Sequence, residues 1–562
     1  MALHSWSLGI AGRTRGRAGA LPVREAEVLV LGAGLAGLAA ALEARRAGRE
    51  VLLVAPHPPG RSGNSLLAAC NLSGVFAPDD AEESFARDTL AGGAGIGDPA
   101  LVRALARGSR QLVPFLEALG VPLQGRPGAL RFRSNPGHSV PRTIATRREG
   151  IPWTVGGLSL TRPVAAAAAA EGVRFALGAA EELLVRDGRV HGARIAGPGG
   201  PFAVLAGAVV LATGGAGRLY ARSDNAADVT GDGLALAYRA GAELRDLELV
   251  QFHPTVAVWP VRGVIPTTLF AEGAVLRNRL GERFLAHHAP GGEATVTRDA
   301  MSRAILREVA EGRGEGGPGG EGVWLDLSAV APEVLRAYPE VWDALVRRGL
   351  DPRRQPIRVS PAAHFCMGGV TVDPAGAATL PGLFAAGEVT GGVHGANRLG
   401  GNALTEALVF GRAAGRSAAA WAGTAPPAGS GRDPVPGSDR SPGRETFPAL
   451  AKGRLAAVRA LLWETAGIDR SGEELAEGLA RWHELAASIP GGGWEDAPCL
   501  VVSRLLLEAA QRREESRGAH FRSEFPAQDP TWRGSLRVRR GGEAGGRGPE
   551  IRFTAADGGT GA

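Results

Sequence analysis

"EVLVLGAGLAGLAAALEARRAGREVLLVA", residues Glu27 to Ala55, decides the fold. An apolar run, Val28–Leu31, breaks into Gly32-Ala33-Gly34-Leu35-Ala36-Gly37; helical spacing follows, and a second apolar run closes at Val51–Ala55. Strand, glycine turn, helix and second strand form the opening of a unit that binds a dinucleotide. Each glycine has its own physical task. Gly32 permits the tight turn, Gly34 lets backbone approach a pyrophosphate, and Gly37 lets helix and strand pack closely. The first N–H groups of the helix, at Leu35 and Ala36, lack partners inside it and can face phosphates. The second strand ends on Ala55 rather than Asp or Glu. The carboxylate that grips the ribose of NAD is therefore missing from its place, which leaves FAD open.

Outward from this unit, β/α alternation runs to about residue 250. "GVRFALGAAEELLVRDGRVHGARIAG" reads as strands joined by a turn at Asp187-Gly188, and "AVVLATGG" as another buried strand. Residues 251–356 are more mixed, with the helical "TRDAMSRAILREVAEG" and a glycine-rich interruption. The βα character returns at "GLFAAGEVTGG". Residues 422–445 are a Pro/Gly/Ser linker, after which three amphipathic helices are expected, the last within "CLVVSRLLLEAAQRREESRG". Residues 1–22 read as a disordered leader and residues 541–562 as a disordered tail.

Composition narrows the function class. With 562 residues, two or three domains are expected, and the net charge of +6 is modest for that length. Lys452 is the one lysine, and no dense basic stripe with interleaved aromatics appears, so nucleic acid is not an expected partner. Cys70, Cys366 and Cys499 are too few and too scattered for a disulfide framework or a cluster-binding motif, and they fit a reducing cytoplasm. No stretch has the roughly 20 apolar residues of a membrane helix, so any membrane association runs through a partner.

Several later motifs are more specific. "QFHPT" (251–255), "TRDAMSRAI" (297–305), "PAAHFCMGGV" (361–370), "AAGEVTGGVHGANRLGGNAL" (385–404) and "RREESRGAHFRSEFP" (512–526) together resemble the flavoprotein subunits of the succinate dehydrogenase/fumarate reductase family, which includes L-aspartate oxidase. The resemblance implies an α/β fold in which a Rossmann-like FAD-binding domain (23–250 and 357–421) is interrupted by an α+β capping domain (251–356) and followed by a C-terminal helical domain (446–540). It implies FAD held by Gly32, Gly34, Leu35, Ala36, Gly37, Ser62, Asn64 and Ser65. Asp232 in "TGDGLALA" and Glu388 would take ribose and ribitol hydroxyls, and backbone N–H groups of Ala403 and Leu404 the isoalloxazine end. It further implies a C4 dicarboxylate bound by His253, His364 and Arg398, with hydride passing between flavin N5 and one substrate carbon. Arg298 would transfer a proton at the neighbouring carbon. The residue types suit that ligand: two desolvated negative charges need charge-assisted donors, and an arginine fork matches a carboxylate in two parallel bonds. The glycines around Arg398 read as clearance for flavin and substrate.

The sequence also departs from these relatives. They carry Thr-Glu and then an Arg before Gly-Glu-Gly, whereas "PTTLFAEGA" has Pro266-Thr267 and Phe270 at those positions and retains Glu272. The acidic member of the usual proton relay is thus missing from its place, with one substrate contact. Asn64 stands where covalent members have the flavin-linking His, so FAD is expected to be non-covalent. Asn135 stands where aspartate oxidases have a glutamate that meets the substrate ammonium, so fumarate/succinate chemistry ranks ahead of L-aspartate oxidation. A flavin-binding protein with impaired dicarboxylate turnover is the reading from another class. The chain offers no ligands for its own iron–sulfur clusters, so the expected partners include an iron–sulfur electron-transfer subunit.

Overall fold

The computed structural model describes residues 21–556, apart from residues 127–128, 288–292, 294–295, 319, 337, 425–447, 490–492 and 542–547. The expected leader lies outside these except at 21–22, as does the expected linker from residue 425 onward. Strand β1 (Val23–Leu31), helix α1 (Leu35–Arg46) and strand β2 (Val51–Ala55) form the opening βαβ unit. β1 and β2 pair in parallel, Val28 opposite Val51, and all five residues of β2 are buried. Burial on both faces explains why this strand reads as a continuous apolar run rather than an alternation.

β1 lies between β2 and the long strand Gly200–Leu211, both parallel to it. Strand Arg174–Leu177 extends the sheet beyond β2. Gly200–Leu211 is shared: residues 200–205 pair with Arg189–Gly197 as a hairpin, and residues 209–211 pair with Leu383–Ala385, brought back from far along the chain. The Asp187-Gly188 turn has both residues at positive φ, 51° and 69°, the twist that a two-residue hairpin connection prefers. Helix Asn402–Thr424 packs on α1 so closely that a Cβ at Gly411 would lie 2.5 Å from the Ala36 carbonyl.

A second sheet caps the first. Its centre is the antiparallel pair Val250–Trp259 and Ile357–Cys366, flanked by Gly263–Val264, Val323–Asp326 and Val275–Arg277. The cap thus takes its own central strand from beyond residue 356: Ile357–Cys366 pairs with Val250–Trp259 on one side and Val323–Asp326 on the other.

The C-terminal unit holds helices Pro448–Thr465, Gly472–Ala487 and Pro498–Arg512. Gly472–Ala487 opens with a reciprocal capping box between Ser471 and Glu474. The third helix ends earlier than its sequence suggests. Arg513 turns inward, donating to Glu248 Oε1 at 2.7 Å and Glu515 Oε1 at 3.0 Å, and Arg517 joins Glu515 at 2.8 Å. Fully buried ions need such partners, so the chain leaves helical geometry to provide them. The tail expected from residue 541 is also structured in part: Pro549–Ala555 is a strand antiparallel to Gly534–Arg540, with Phe553 opposite Leu536 and Ile551 opposite Val538. Its short "EIRFTA" alternation sits between glycine-rich flanks, which hid it.

Candidate active site

A cavity of about 2130 Å³ runs from the Gly32 turn to the face of the capping sheet. At its start Gly32 has φ +111°, and a Cβ there would sit 2.2 Å from the Ala212 carbonyl oxygen. Gly37, expected among the residues that hold FAD, is not among those lining the cavity; a Cβ there would lie 1.8 Å from Gly32 O, so this glycine serves the close packing of turn and helix. Gly34, Leu35, Ala36, Ser62, Asn64 and Ser65 all line the cavity. The Leu35 N–H already donates to Ser65 Oγ at 3.1 Å, which fastens the 62–65 segment over the helix start.

Further along, Asp232 begins helix Asp232–Ala240 and opens onto the cavity; Thr230 Oγ1 donates to it at 2.8 Å, and burial by surrounding protein raises its pKa. Glu388 accepts from Asn64 Nδ2 at 2.9 Å and from the Cys366 N–H at 3.1 Å, while burial pushes its carboxyl up to about 7. Thr213 Oγ1, on the same wall, is buried without a partner among the described residues. A glycine turn that admits no side chain, a helix N-terminus, two carboxyls and an unsatisfied hydroxyl along one channel fit an FAD.

The far end of the cavity is basic. His253 lies on Val250–Trp259, His364 on Ile357–Cys366, Arg298 at the first turn of Arg298–Ala310, and Arg398 in the turn before Asn402–Thr424. These sequence-predicted residues all line the same cavity. Register brings the histidines together. Phe252 pairs with Ala363 but Gln251 with Phe365, so His364 is the extra residue of a β-bulge. Bulges re-aim side chains, and here the two imidazole rings meet edge to face at 5.1 Å. His253 accepts the Thr255 N–H through Nδ1 at 3.3 Å, which puts its own proton on Nε2. Burial, with Arg298, His364 and Arg398 nearby, holds His253 well below its usual pKa.

The arginines are under similar pressure. Burial and Arg398 bring Arg298 down to about 9, and burial brings Arg398 to about 10 against the pull of Glu388, Glu406 and Asp224. Arg398 donates from Nη1 to the Leu399 carbonyl at 3.1 Å and sits over the Phe365 ring at 4.8 Å. Arg398 Nε and Arg298 Nη1 are buried with no partner among the described residues. Gln251 Nε2 braces the Arg398 turn, donating to Asn397 Oδ1 at 2.8 Å and to Arg398 O at 3.0 Å. The glycines beside Arg398 do more than give ligands clearance. Gly401 has φ +81°, and a Cβ on it would lie 2.1 Å from Ser73 Oγ, so neighbouring chain rather than ligand excludes a side chain there.

Thr267 and Phe270 line the cavity, and Phe270 is also buried in the apolar cluster of the cap. Asn135 lines it too, donating from Nδ2 to Thr143 Oγ1 at 2.9 Å. One residue escaped sequence reasoning. Asp224 lies in "ARSDNAADVTGDG" with no spacing or motif to mark it, yet its Oδ2 is 2.7 Å from His364 Nδ1.

Comparison with known proteins decides the family. Residues 27–404 match the FAD binding domain family, and residues 492–543 the fumarate reductase flavoprotein C-terminal family. The chain is 38% identical to L-aspartate oxidase of Caulobacter vibrioides, over 94% of this chain and 98% of that one. This chain belongs to the succinate dehydrogenase/fumarate reductase flavoprotein family. The flavoprotein is also 36% identical to a chain of the fumarate reductase (CoM/CoB) of Methanothermobacter marburgensis, over 92% of this chain and 97% of that one. Its fold matches quinol fumarate reductase of E. coli with a TM-score of 0.81 at 27% identity, over 96% and 98% of the two chains. It is an FAD-dependent oxidoreductase with the α/β fold that the motifs imply.

Proposed function

We propose that this flavoprotein interconverts a C4 dicarboxylate pair of the fumarate/succinate type. The observation that carries the reading is the convergence of His253, Arg298, His364 and Arg398 with guanidinium N–H groups left unpartnered in the cavity. Buried cationic donors without partners are costly unless an anion completes them. In this reading the Gly32 turn and the start of α1 hold the pyrophosphate of FAD. Ser62, Asn64, Ser65, Asp232 and Glu388 line its middle, and Ala403 and Leu404 lie at the isoalloxazine end. Bound FAD supplies the hydride donor or acceptor. The chain supplies the rest. Arg398 presents its fork to one carboxylate, His253 donates from Nε2, and Arg298, already lowered to about 9, exchanges the proton at the substrate carbon.

The relative from Caulobacter supports a second reading, L-aspartate oxidation. Against it, Asn135 offers an amide rather than a carboxylate to an ammonium group. An anaerobic flavin spectrum separates the two. Reduced protein is expected to be reoxidised by fumarate more readily than oxidised protein is bleached by L-aspartate; faster bleaching by L-aspartate, with peroxide released once air is admitted, reverses the ranking. Among the described residues no cluster of His, Cys, Asp or Glu could hold a metal, so a separate iron–sulfur subunit is our candidate for carrying electrons. No described helix is long and apolar enough to cross a membrane, and the buried free thiols of Cys70 and Cys366 suit a reducing cytoplasm. Membrane association, in this reading, is peripheral and runs through that subunit.

A further inference from the structure

Asp224 has no part in the hydride and proton transfers proposed above, yet the fold builds a place for it. Its loop is laced to the strand that carries His364: the Asp224 N–H donates to the Ala363 carbonyl at 3.2 Å, and Asn225 Nδ2 donates to Ala363 O at 2.9 Å and His364 O at 3.3 Å. Ser223 bridges Ala363 in parallel. The carboxylate is then fixed from both sides, Oδ1 accepting from Asn225 Nδ2 at 3.1 Å and Oδ2 lying 2.7 Å from His364 Nδ1. Its side chain is 8% exposed, against 23% for His364, and both line the cavity, the imidazole offering it more surface. With Nδ1 engaged, Nε2 is the ring nitrogen available to a ligand.

Three cationic or titratable side chains near His364 oppose a proton on it. His253 meets its ring at 5.1 Å, and Arg298 and Arg398, with burial, hold His364 well below its usual pKa. Asp224 is also the acid whose field acts on Arg298, while the turn Thr267–Glu272 contributes Thr267 and Phe270 to the same cavity and one carboxylate, the exposed Glu272. We propose that Asp224 is a positioning residue for His364: it orients the ring through Nδ1 and makes it an imidazolium when a dicarboxylate enters, so that the site takes up one proton as the dianion binds. The acid missing at Thr267 thus has a counterpart on a different element.

Without ligand, burial holds the Asp224 carboxyl at about 7 against the pull of Arg398 and Arg298, and His364 stays neutral. A bound dicarboxylate cancels the two guanidinium charges and favours the imidazolium, which gives one N–H to Asp224 and one to the ligand. Below pH 7 that proton moves across from Asp224, and net uptake is small. Above pH 7 Asp224 is already ionised, and the proton comes from solvent. No electron moves in either case.

The inference rests on the dicarboxylate reading of the cavity. Malonate binding to the FAD-loaded protein, measured by calorimetry between pH 6.5 and 8.5 in buffers of different ionisation enthalpy, tests both. Wild type is expected to take up a proton fraction that rises towards about one per malonate at pH 8.5. Asp224→Asn is expected to lose that uptake and to bind malonate roughly tenfold more weakly at pH 8, about 1.4 kcal/mol. Asp224→Glu, which keeps the acid, recovers part of the uptake. An unchanged uptake in Asp224→Asn overturns the proposal. So does the absence of uptake in wild type at pH 8.5, a result that needs no variant to fold. Failure of wild type to bind malonate at all sinks the dicarboxylate reading itself, and this inference with it.

Discussion

At the end of the cavity that begins with Gly32, the turn itself is made by near neighbours in sequence, Gly32, Gly34, Leu35 and Ala36, and side chains from Ser62 to Glu388 join only further along. At the other end, His253, Arg298, His364 and Arg398 come from four separate segments. The first end can be spoiled by adding a single carbon, because a turn with no room has no alternative packing. The second is sensitive to charge rather than to volume. In the function proposed above, the pyrophosphate end rests on local geometry and the dicarboxylate end on assembly.

The sharpest way to break this contrast is Gly32→Val. It forces a branched residue to φ +111° and drives a Cβ to within 2.2 Å of Ala212 O. The expected cost is on the order of 3–5 kcal/mol from backbone strain and overpacking together. Purified protein should be colourless with a lowered Tm; a yellow protein of wild-type Tm refutes the backbone account of this end.

Arg398→Met tests the other end. Removing one partner of a desolvated charge pair costs about 2–5 kcal/mol, a 30-fold to several-thousandfold loss of affinity. FAD content should be retained while oxaloacetate or malonate affinity, read from the flavin spectrum, collapses. Arg398→Lys should recover only part of it, since it keeps the charge without the fork. Unchanged inhibitor affinity in an FAD-replete Met variant removes Arg398 from the substrate site.

Asn64→Ala should act between the ends. Asn64 Nδ2 donates to Glu388 Oε2 at 2.9 Å and Asn225 Oδ1 at 2.7 Å, and Oδ1 accepts the Ala226 N–H at 3.1 Å, so the variant loses three bonds that fix the cavity wall and is expected to bind FAD roughly tenfold more weakly by equilibrium dialysis, about 1.4 kcal/mol. Because Asn64 has no imidazole to bond the ring, acid precipitation of wild type should leave the colour in the supernatant. Colour in the pellet contradicts a non-covalent flavin.

The most gradual expected effect, small per pH unit, is a pH slope. The carboxyls of Asp224 and Glu388 are both held at about 7, above their unfolded values. The folded protein therefore binds more protons between about pH 4 and 7, and stability falls as pH rises through that window, then levels off. Each group contributes up to about 1 kcal/mol per pH unit there. Asp224→Asn should flatten the decline in Tm of ligand-free protein from pH 5 to 7.5; an identical decline in both proteins disproves the raised carboxyl.

The same division governs what the sequence disclosed. The turn at Gly32–Gly37 was legible because its causes are local: a glycine spacing, an apolar run on either side and a helix start. Arg298, His253, His364 and Arg398 were legible only through resemblance, since nothing in their own neighbourhoods says that they meet. Asp224 was invisible. Its significance comes from a bulge that turns His364 towards it across 140 positions of chain, and a one-residue register shift leaves no trace in composition or periodicity. The C-terminal departures share this cause. Arg513 leaves its helix for Glu248, a long-range partner, and Pro549–Ala555 is ordered by a strand that glycine-rich sequence separates from it.

The two ends open on one continuous cavity, and helix Asn402–Thr424 begins between them, with Arg398 just before it and Ala403 and Leu404 in its first turn. Neither ligand has a compartment of its own. Whatever affinity a dicarboxylate gains from bound FAD, FAD must gain from the bound dicarboxylate, because coupling between two sites is reciprocal. The flavin should therefore leave more slowly from protein kept in dicarboxylate than from protein kept in buffer. In a cell, scarcity of substrate would then shorten the lifetime of the holoenzyme as well as slow its turnover.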